Sequence, residues 1–270
     1  MKSMLKIRSV MGLLALLCFV LACSQPSEEP TPEGLSPLAL FEKSLLGDSL
    51  DVPTDGYFVI NSVDNKEGMQ HYTLSATFYT NADRTGLARN AGLLKAGNLQ
   101  SAGKPIGNGH FSYYENIRGT SYQNSFGKDL TYEVPGSADI PGFVQTMYVP
   151  KEVVLNHDAG FFVSKSQGTR LSWNSDSRNG FGVLMAVMYD GIESNLRNAS
   201  LPVQDAIFYR FIPDTGQYQI TSQDLAHVPS GGFANIYIIR GNAGLAQSST
   251  GRKIHLLAYA TSNERIVVQN

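Results

Sequence analysis

The residue best placed for covalent chemistry is Cys23. It lies in LACSQPSEEP, residues 21–30, where an apolar run gives way to a proline-spaced acidic string. The other cysteine is Cys18, so nothing after residue 23 can supply a disulfide, a thiolate metal ligand or a cysteine nucleophile. NSDSRNG, residues 174–180, offers oxygen ligands at Asn174 and Asp176, as a calcium loop does. Arg178 and Asn179 then occupy places that need an oxygen donor and a glycine. A hairpin loop whose Asp and Asn side chains bond nearby amides fits these residues better. His71, His110, His157, His227 and His255 are scattered and form no HExxH pair, so no metal site is expected. No GxSxG elbow or phosphate-binding loop occurs, and Gly107-Asn108-Gly109 lacks the third glycine of a dinucleotide fingerprint. Nothing singles out a carboxylate pair for glycoside hydrolysis. No catalytic residue and no cofactor is therefore assigned. Tyr113, Tyr114 and Tyr122, close to Phe111, could stack on sugar rings or anchor a partner protein. Alternatively, alternate members of this cluster pack in the core while their neighbours stay at the surface.

What positions Cys23 is legible in the residues before it. Lys2, Lys6 and Arg8 form a positive segment, and Val10–Ala22 is an apolar run of 13 residues. A membrane-spanning helix needs about 20 residues, so this run has the length of a signal-peptide core instead. Val20-Leu21-Ala22-Cys23 resembles the lipobox of bacterial lipoproteins, with Leu21 larger than usual at its place. The resemblance implies diacylglycerol on the Cys23 thiol, cleavage before Cys23 and acylation of the new amine. The only partner it implies directly is the membrane. Ser24 stands where an inner-membrane retention signal would carry Asp, which favours the outer membrane of the cell envelope, on its periplasmic or surface face. Glu28-Glu29 looks like the surface-export signals of some such lipoproteins. Residues 1–22 carry three cations and no acid, so their loss leaves a more acidic chain.

The formal charge of −2 and the lack of a Lys/Arg cluster exclude a nucleic-acid partner. Charged residues are 16% of the 270, while Gly, Tyr and Phe are plentiful, which suits sheets and turns. SQPSEEPTPEGLSP, residues 24–37, reads as a tether. PLALFEKSLLG follows, with Ser36 as a cap, Pro37 in the first turn and Gly47 as the stop of a short helix. Asp48-Ser49-Leu50 fits a tripeptide pattern of O-glycosylation at Ser49, though a polar turn reads as well.

Beyond residue 52, alternation and turn residues recur. Strands are expected at Tyr57–Val63, His71–Thr80, Gly97–Ser101, His110–Ile117 and Asp129–Val134. In His71–Thr80, Tyr72, Leu74, Ala76 and Phe78 should face a core, with Thr73, Ser75 and Thr77 opposite. Pro135, Pro141 and Pro150 place a boundary near 150. The second half predicts strands at Lys151–Leu155, Gly160–Ser164, Thr169–Trp173, Gly182–Tyr189, Ala206–Ile212, Gly216–Thr221, Ala234–Arg240, Lys253–Ala260 and Arg265–Val268. Gly182–Tyr189, apolar on both faces, should be central, and Trp173 should be buried. TYEVPGSADIPGF and RLSWNSDSRNGFGVLMAVMYD look like patterns in uncharacterised two-part lipoproteins, a resemblance that implies no activity.

The expected architecture is mainly β, with two β-sandwich-like domains after a signal peptide and tether. Residues 1–22 are the leader, 23–51 the lipidated tether with its helix, 52–150 the first β-rich domain and 151–270 an immunoglobulin-like sandwich. The expected function is a non-catalytic binding or structural module of the cell envelope with a glycan or protein partner. The alternatives are an extracellular hydrolase of glycans or peptides and a fimbrial-type subunit whose terminal strand, ERIVVQN, completes a neighbour's sheet.

Overall fold

The computed structural model describes residues 36–47, 52–65, 69–82, 86–118, 124–158 and 160–270. Cys18, Cys23, Ser49 and Tyr122 lie outside the described residues, as do the leader and most of the tether.

The protein is mainly β. In chain order the elements are helix α1 (Pro37–Leu46), β1 (Gly56–Asn65), β2 (Met69–Phe78), β3 (Leu93–Ala96), β4 (Leu99–Ala102), β5 (Lys104–Gly107), β6 (His110–Arg118), β7 (Lys128–Val134) and β8 (Phe143–Val149). The second half adds β9 (Leu155–His157), β10 (Phe162–Ser164), β11 (Thr169–Trp173), β12 (Val183–Tyr189), helix α2 (Gly191–Arg197), β13 (Ala206–Ile212), β14 (Gln217–Ile220), β15 (Phe233–Gln247) and β16 (Lys253–Gln269). No helix among the described residues is long and apolar enough to cross a membrane.

Eight strands of the largest sheet run in the order β13-β12-β15-β16-β1-β2-β6-β5, and β10 pairs with the end of β16. Its spine is the β15–β16 hairpin, paired from Phe233↔Val267 to Gln247↔Lys253. Strands from both sides of Pro150 share this sheet, because β1 lies parallel to β16. The segment ERIVVQN falls at the end of β16, where Val267 pairs with Phe233 on one side and Phe162 on the other. Two smaller sheets, β4-β3-β7-β8 and β14-β11-β9, contribute to the same apolar core as the inner face of the large sheet.

Alternation decides which face is which. Tyr72, Leu74, Ala76 and Phe78 are buried in that core, as the period of two requires. On β1, Phe58 and Ile60 point the same way, and the Phe58 ring meets Tyr132 of β7 edge-on at 5.1 Å. β12 is apolar on both faces and lies between β13 and β15. Trp173 is buried, with its indole Nε1 donating to Asp214 at 2.8 Å.

Helix α1 forms where the cap signals place it. Ser36 is extended and its hydroxyl accepts from the Ala39 amide at 3.2 Å. Pro37 opens the first turn and Gly47 ends the helix at φ 46°. The helix turns Phe41 and Leu45 onto the outer face of the large sheet, against Leu184, Ala186, Ile239 and Leu257. Gly241 of β15 is required there, since a Cβ would sit 2.6 Å from the Phe41 ring.

Three differences from the sequence expectation have local causes. Residues 151–154 form no strand, because the amides of Lys151 and Val154 bond the side chains of Asp176 and Asn174 instead of a neighbouring strand. The two strands expected at 253–260 and 265–268 are one, since Ser262 and Asn263 keep pairing with β15. Helix α2 was not anticipated. It has only seven residues and depends on Asp190, whose carboxylate accepts from the Glu193 amide at 2.9 Å.

Candidate binding site

The outer face of the large sheet beside α1 sets polar side chains around the apolar pair Val59 and Leu257, and it is built by register. Across β2, β1 and β16, three rows of side chains share this face: Thr77–Tyr57–His255, Ser75–Val59–Leu257 and Thr73–Asn61–Tyr259. The Thr77 hydroxyl donates to the Tyr57 hydroxyl at 3.1 Å. In the third row Thr73 donates to the Asn61 carbonyl, and Asn61 Nδ2 donates to the Tyr259 hydroxyl at 3.0 Å. Tyr259 hydrogen-bonds in turn to Glu42 of α1. A chain of neutral hydroxyl and amide groups thus runs from β2 to one carboxyl on the helix, each member oriented by the next.

Helix α1 walls one side of a cavity of about 480 Å³, with Glu42 and Lys43 at the wall and Tyr57, Ser75, His255 and Tyr259 at the floor. Burial pushes the Glu42 carboxyl above its ordinary value, opposed by the bond from Tyr259. Burial likewise pushes the Tyr259 hydroxyl upward, and Glu42 pushes it further, so it stays protonated and available as a donor. A raised carboxyl value in the fold means that its stabilising contribution is present below the unfolded value and lost as pH rises through the folded one. Glu42→Gln is therefore expected to raise the melting temperature by about 1–3 °C near pH 8, with no gain near pH 4. Scanning fluorimetry at the two pH values checks this, and an equal shift at both would contradict it.

The tyrosines that sequence analysis singled out separate by alternation. Tyr113 pairs with Ala76 and points into the core, where its ring meets Phe78 edge-on at 5.6 Å. Its hydroxyl accepts from the Ala91 amide at 2.6 Å and donates to Asn90 at 2.7 Å. Tyr114 pairs with Ser75 and so lies on the outer face, 51% exposed. Tyr114 adjoins Ser75 from β6, while Tyr57 lies one row along β1, opposite Thr77. Tyr122 is outside the described residues.

No family model matches this chain, and no curated protein matches it. The assignment of chemistry therefore rests on the residues themselves. The strip presents hydroxyl and amide groups between aromatic rings, with one acid and one ammonium at the edge, a set suited to holding an uncharged polyhydroxy ligand. Among the described residues, no group of three His, Asp or Glu side chains is placed to hold a metal ion.

The NSDSRNG loop has a different role. Asp176 is buried and accepts from the Tyr148 hydroxyl at 2.7 Å, the Lys151 amide at 2.9 Å and the Arg178 amide at 3.1 Å. Burial alone would raise its carboxyl, but these donors and the charge of Arg240 hold it below its ordinary value. Asn174 accepts from the Val154 amide and donates to the Glu152 carbonyl. Arg240 is fully buried on β15 and pairs with buried Asp214 at 3.2 Å, while Asn179 also donates to Asp214. Arg178 lies over the Tyr148 ring at 3.9 Å and bonds Asp129. These side chains tie β7, β8 and β15 to the loop, the work of a structural clamp.

Sequence alone does not mark Glu42, Tyr57, Asn61, Ser75, His255 or Tyr259 as binding residues, although His255 is weighed as a metal ligand and Ser75 is placed on an outward face. The signal for part of the set was present, because Thr73, Ser75 and Thr77 are the polar side of an alternating strand. What the alternation could not show is that α1 lies over that side and that β16 supplies the far row.

Proposed function

We propose that this protein is a lipid-anchored binding module of the cell envelope, held through acylated Cys23, and that it binds a glycan in the polar strip beside α1. The single observation that carries the ligand reading is the ordered row Thr73–Asn61–Tyr259–Glu42, which reaches the cavity at Tyr259 and Glu42, with the Tyr57 ring lining that cavity and Tyr114 on the same face of the sheet. Sugars expose hydroxyls at their edges and C–H surfaces on their faces. A strip of fixed amide and hydroxyl partners beside tyrosine rings meets both requirements. Attachment to the outer membrane fits the lipobox-like segment and Ser24, and α1 begins directly after the tether.

In this reading the body is two sandwich-like lobes, residues 52–150 and 151–270, the second immunoglobulin-like. The smaller sheets support it, since β4-β3-β7-β8 comes wholly from the first span and β14-β11-β9 wholly from the second. The large sheet joins the lobes, so the ligand strip on β2, β1 and β16 draws on both.

The test is a glycan-array screen of the full chain, followed by titration of any hit against variants. Tyr57→Ala and Asn61→Ala are each expected to weaken binding about tenfold or more, and Tyr114→Ala by a smaller factor. A glycan that binds all three variants as tightly as the parent protein would contradict the site. Turnover of a glycan by the parent protein would replace the binding module with a hydrolase.

A further inference from the structure

The two ends of the large sheet differ in a way that points to a partner. An exposed strand edge presents unpaired amides and carbonyls, and edge strands that must stay single are kept short, charged, interrupted by proline or bulged. β5, at one end, has all of these features. It is four residues long, contains Lys104 and Pro105, shifts register between Pro105 and Gly107, and is exposed throughout.

β13, at the other end, has none of them except Arg210. It is seven residues long, AIFYRFI, runs in unbroken register with β12, and contains no proline, glycine or lysine. Its side chains are apolar on both faces. Ala206, Phe208 and Ile212 pack against the inner core, and Ile207 and Tyr209 against the cluster under α1. Phe211 stacks on Phe41 at 6.5 Å between centroids and is still 41% exposed. A strand with apolar side chains on both faces has the composition of an interior strand. Among the described residues its only strand partner is β12.

We propose that β13 pairs antiparallel with β13 of a second copy about a two-fold axis at Tyr209, making one continuous sheet across a dimer. The sequence is self-complementary in this register. Ala206 lies opposite Ile212, Ile207 opposite Phe211, and Tyr209 opposite Tyr209, the last two being favourable cross-strand pairs. Arg210 lies opposite Phe208 of the other copy, which extends the contact it already makes over its own Phe208 at 5.5 Å. Centring one residue later would set Arg210 against Arg210, and one residue earlier would set Phe211 against Asp205. A two-fold contact of this kind closes on itself and does not propagate into a filament. The inference is independent of the ligand reading, because β13 lies at the sheet end away from β1 and β2.

Cysteine cross-linking tests the register in the full chain with Cys18→Ser and Cys23→Ser, which leaves no other thiol. Tyr209→Cys is expected to give a disulfide-linked dimer as the main product on mild oxidation, while Gln217→Cys on β14 stays monomeric. In sedimentation equilibrium, Tyr209→Lys and Tyr209→Glu should each weaken self-association about tenfold or more, and their mixture should recover it. Circular dichroism confirms that each variant is folded. A Tyr209→Cys chain that stays monomeric, or cross-linking at Ile207→Cys or Phe211→Cys in its place, would overturn the proposal. Equal self-association of the parent and Tyr209→Lys would also overturn it.

Discussion

Replacing Cys23 with serine is expected to move the protein almost completely from the membrane fraction to the soluble fraction. The reason is energetic. Each buried methylene of an acyl chain contributes about 0.8 kcal/mol, so a second and third chain strengthen the partition by many powers of ten over the first. One chain holds a protein only marginally, whereas two or more hold it firmly. The described body offers no helix able to substitute by spanning the bilayer. A serine hydroxyl lacks the thiolate nucleophilicity on which the proposed lipid transfer would depend, so under this proposal the variant loses every chain at once. Fractionation together with metabolic labelling by an alkyne fatty acid reads the result directly. Cys18→Ser should leave labelling and fractionation unchanged. A Cys23→Ser protein that is still labelled, or still sediments with membranes, would mean that the anchor lies elsewhere.

The second large effect is expected at Asp176. Asp176→Asn keeps the size of the side chain and removes the charge. The native carboxylate accepts three hydrogen bonds and lies within the field of fully buried Arg240. An asparagine presents an amide N–H₂ where one of those donors points, and it leaves Arg240 with Asp214 as its main counter-charge. Breaking a buried charge set in this way costs about 3–5 kcal/mol, a large share of the 5–15 kcal/mol typical of a whole domain. For a protein of this size that corresponds to a fall in melting temperature of about 6–15 °C near pH 7.

The pH dependence has a fixed sign. Asp176 is held below its ordinary value, so its contribution is present above the unfolded value of about 3.9 and lost as pH falls through the folded one. The difference between parent and variant should therefore narrow in acid. Thermal melts at neutral and acidic pH check this. A variant that melts within about 2 °C of the parent at neutral pH would contradict the role of the clamp.

Much of the fold was legible because its periods were strong. Tyr72, Leu74, Ala76 and Phe78 alternate without interruption, and they are in the core. Ala206–Ile212 has matching bounds in sequence and structure because turn residues flank it on both sides. Ser36, Pro37 and Gly47 mark α1 by cap chemistry alone. The rest depended on contacts distant in sequence. Lys151 and Val154 look like strand residues until Asp176 and Asn174 take their amides. β1 and β16 are separated by nearly the whole body, so no local pattern could announce their parallel pairing. The candidate site is a product of that pairing, since His255 and Tyr259 meet Tyr57 and Asn61 only there.

Tyr113 and Tyr114 illustrate the same point on a smaller scale. Adjacent residues in a strand face opposite ways, so a cluster of tyrosines in sequence is divided between core and surface. Which of the two faces outward follows from the register with Ala76 and Ser75, and register is a property of the pair of strands.

The most direct test of the proposed glycan-binding strip is a backbone amide NMR titration of the protein with the tightest-binding oligosaccharide from the array. Chemical-shift changes are predicted to concentrate in Tyr57–Asn61, Thr73–Thr77, His255–Tyr259 and α1, and to disappear in Asn61→Ala. Saturable changes confined to the NSDSRNG loop or to the inner-core strands, with the outer strip unmoved, would contradict it.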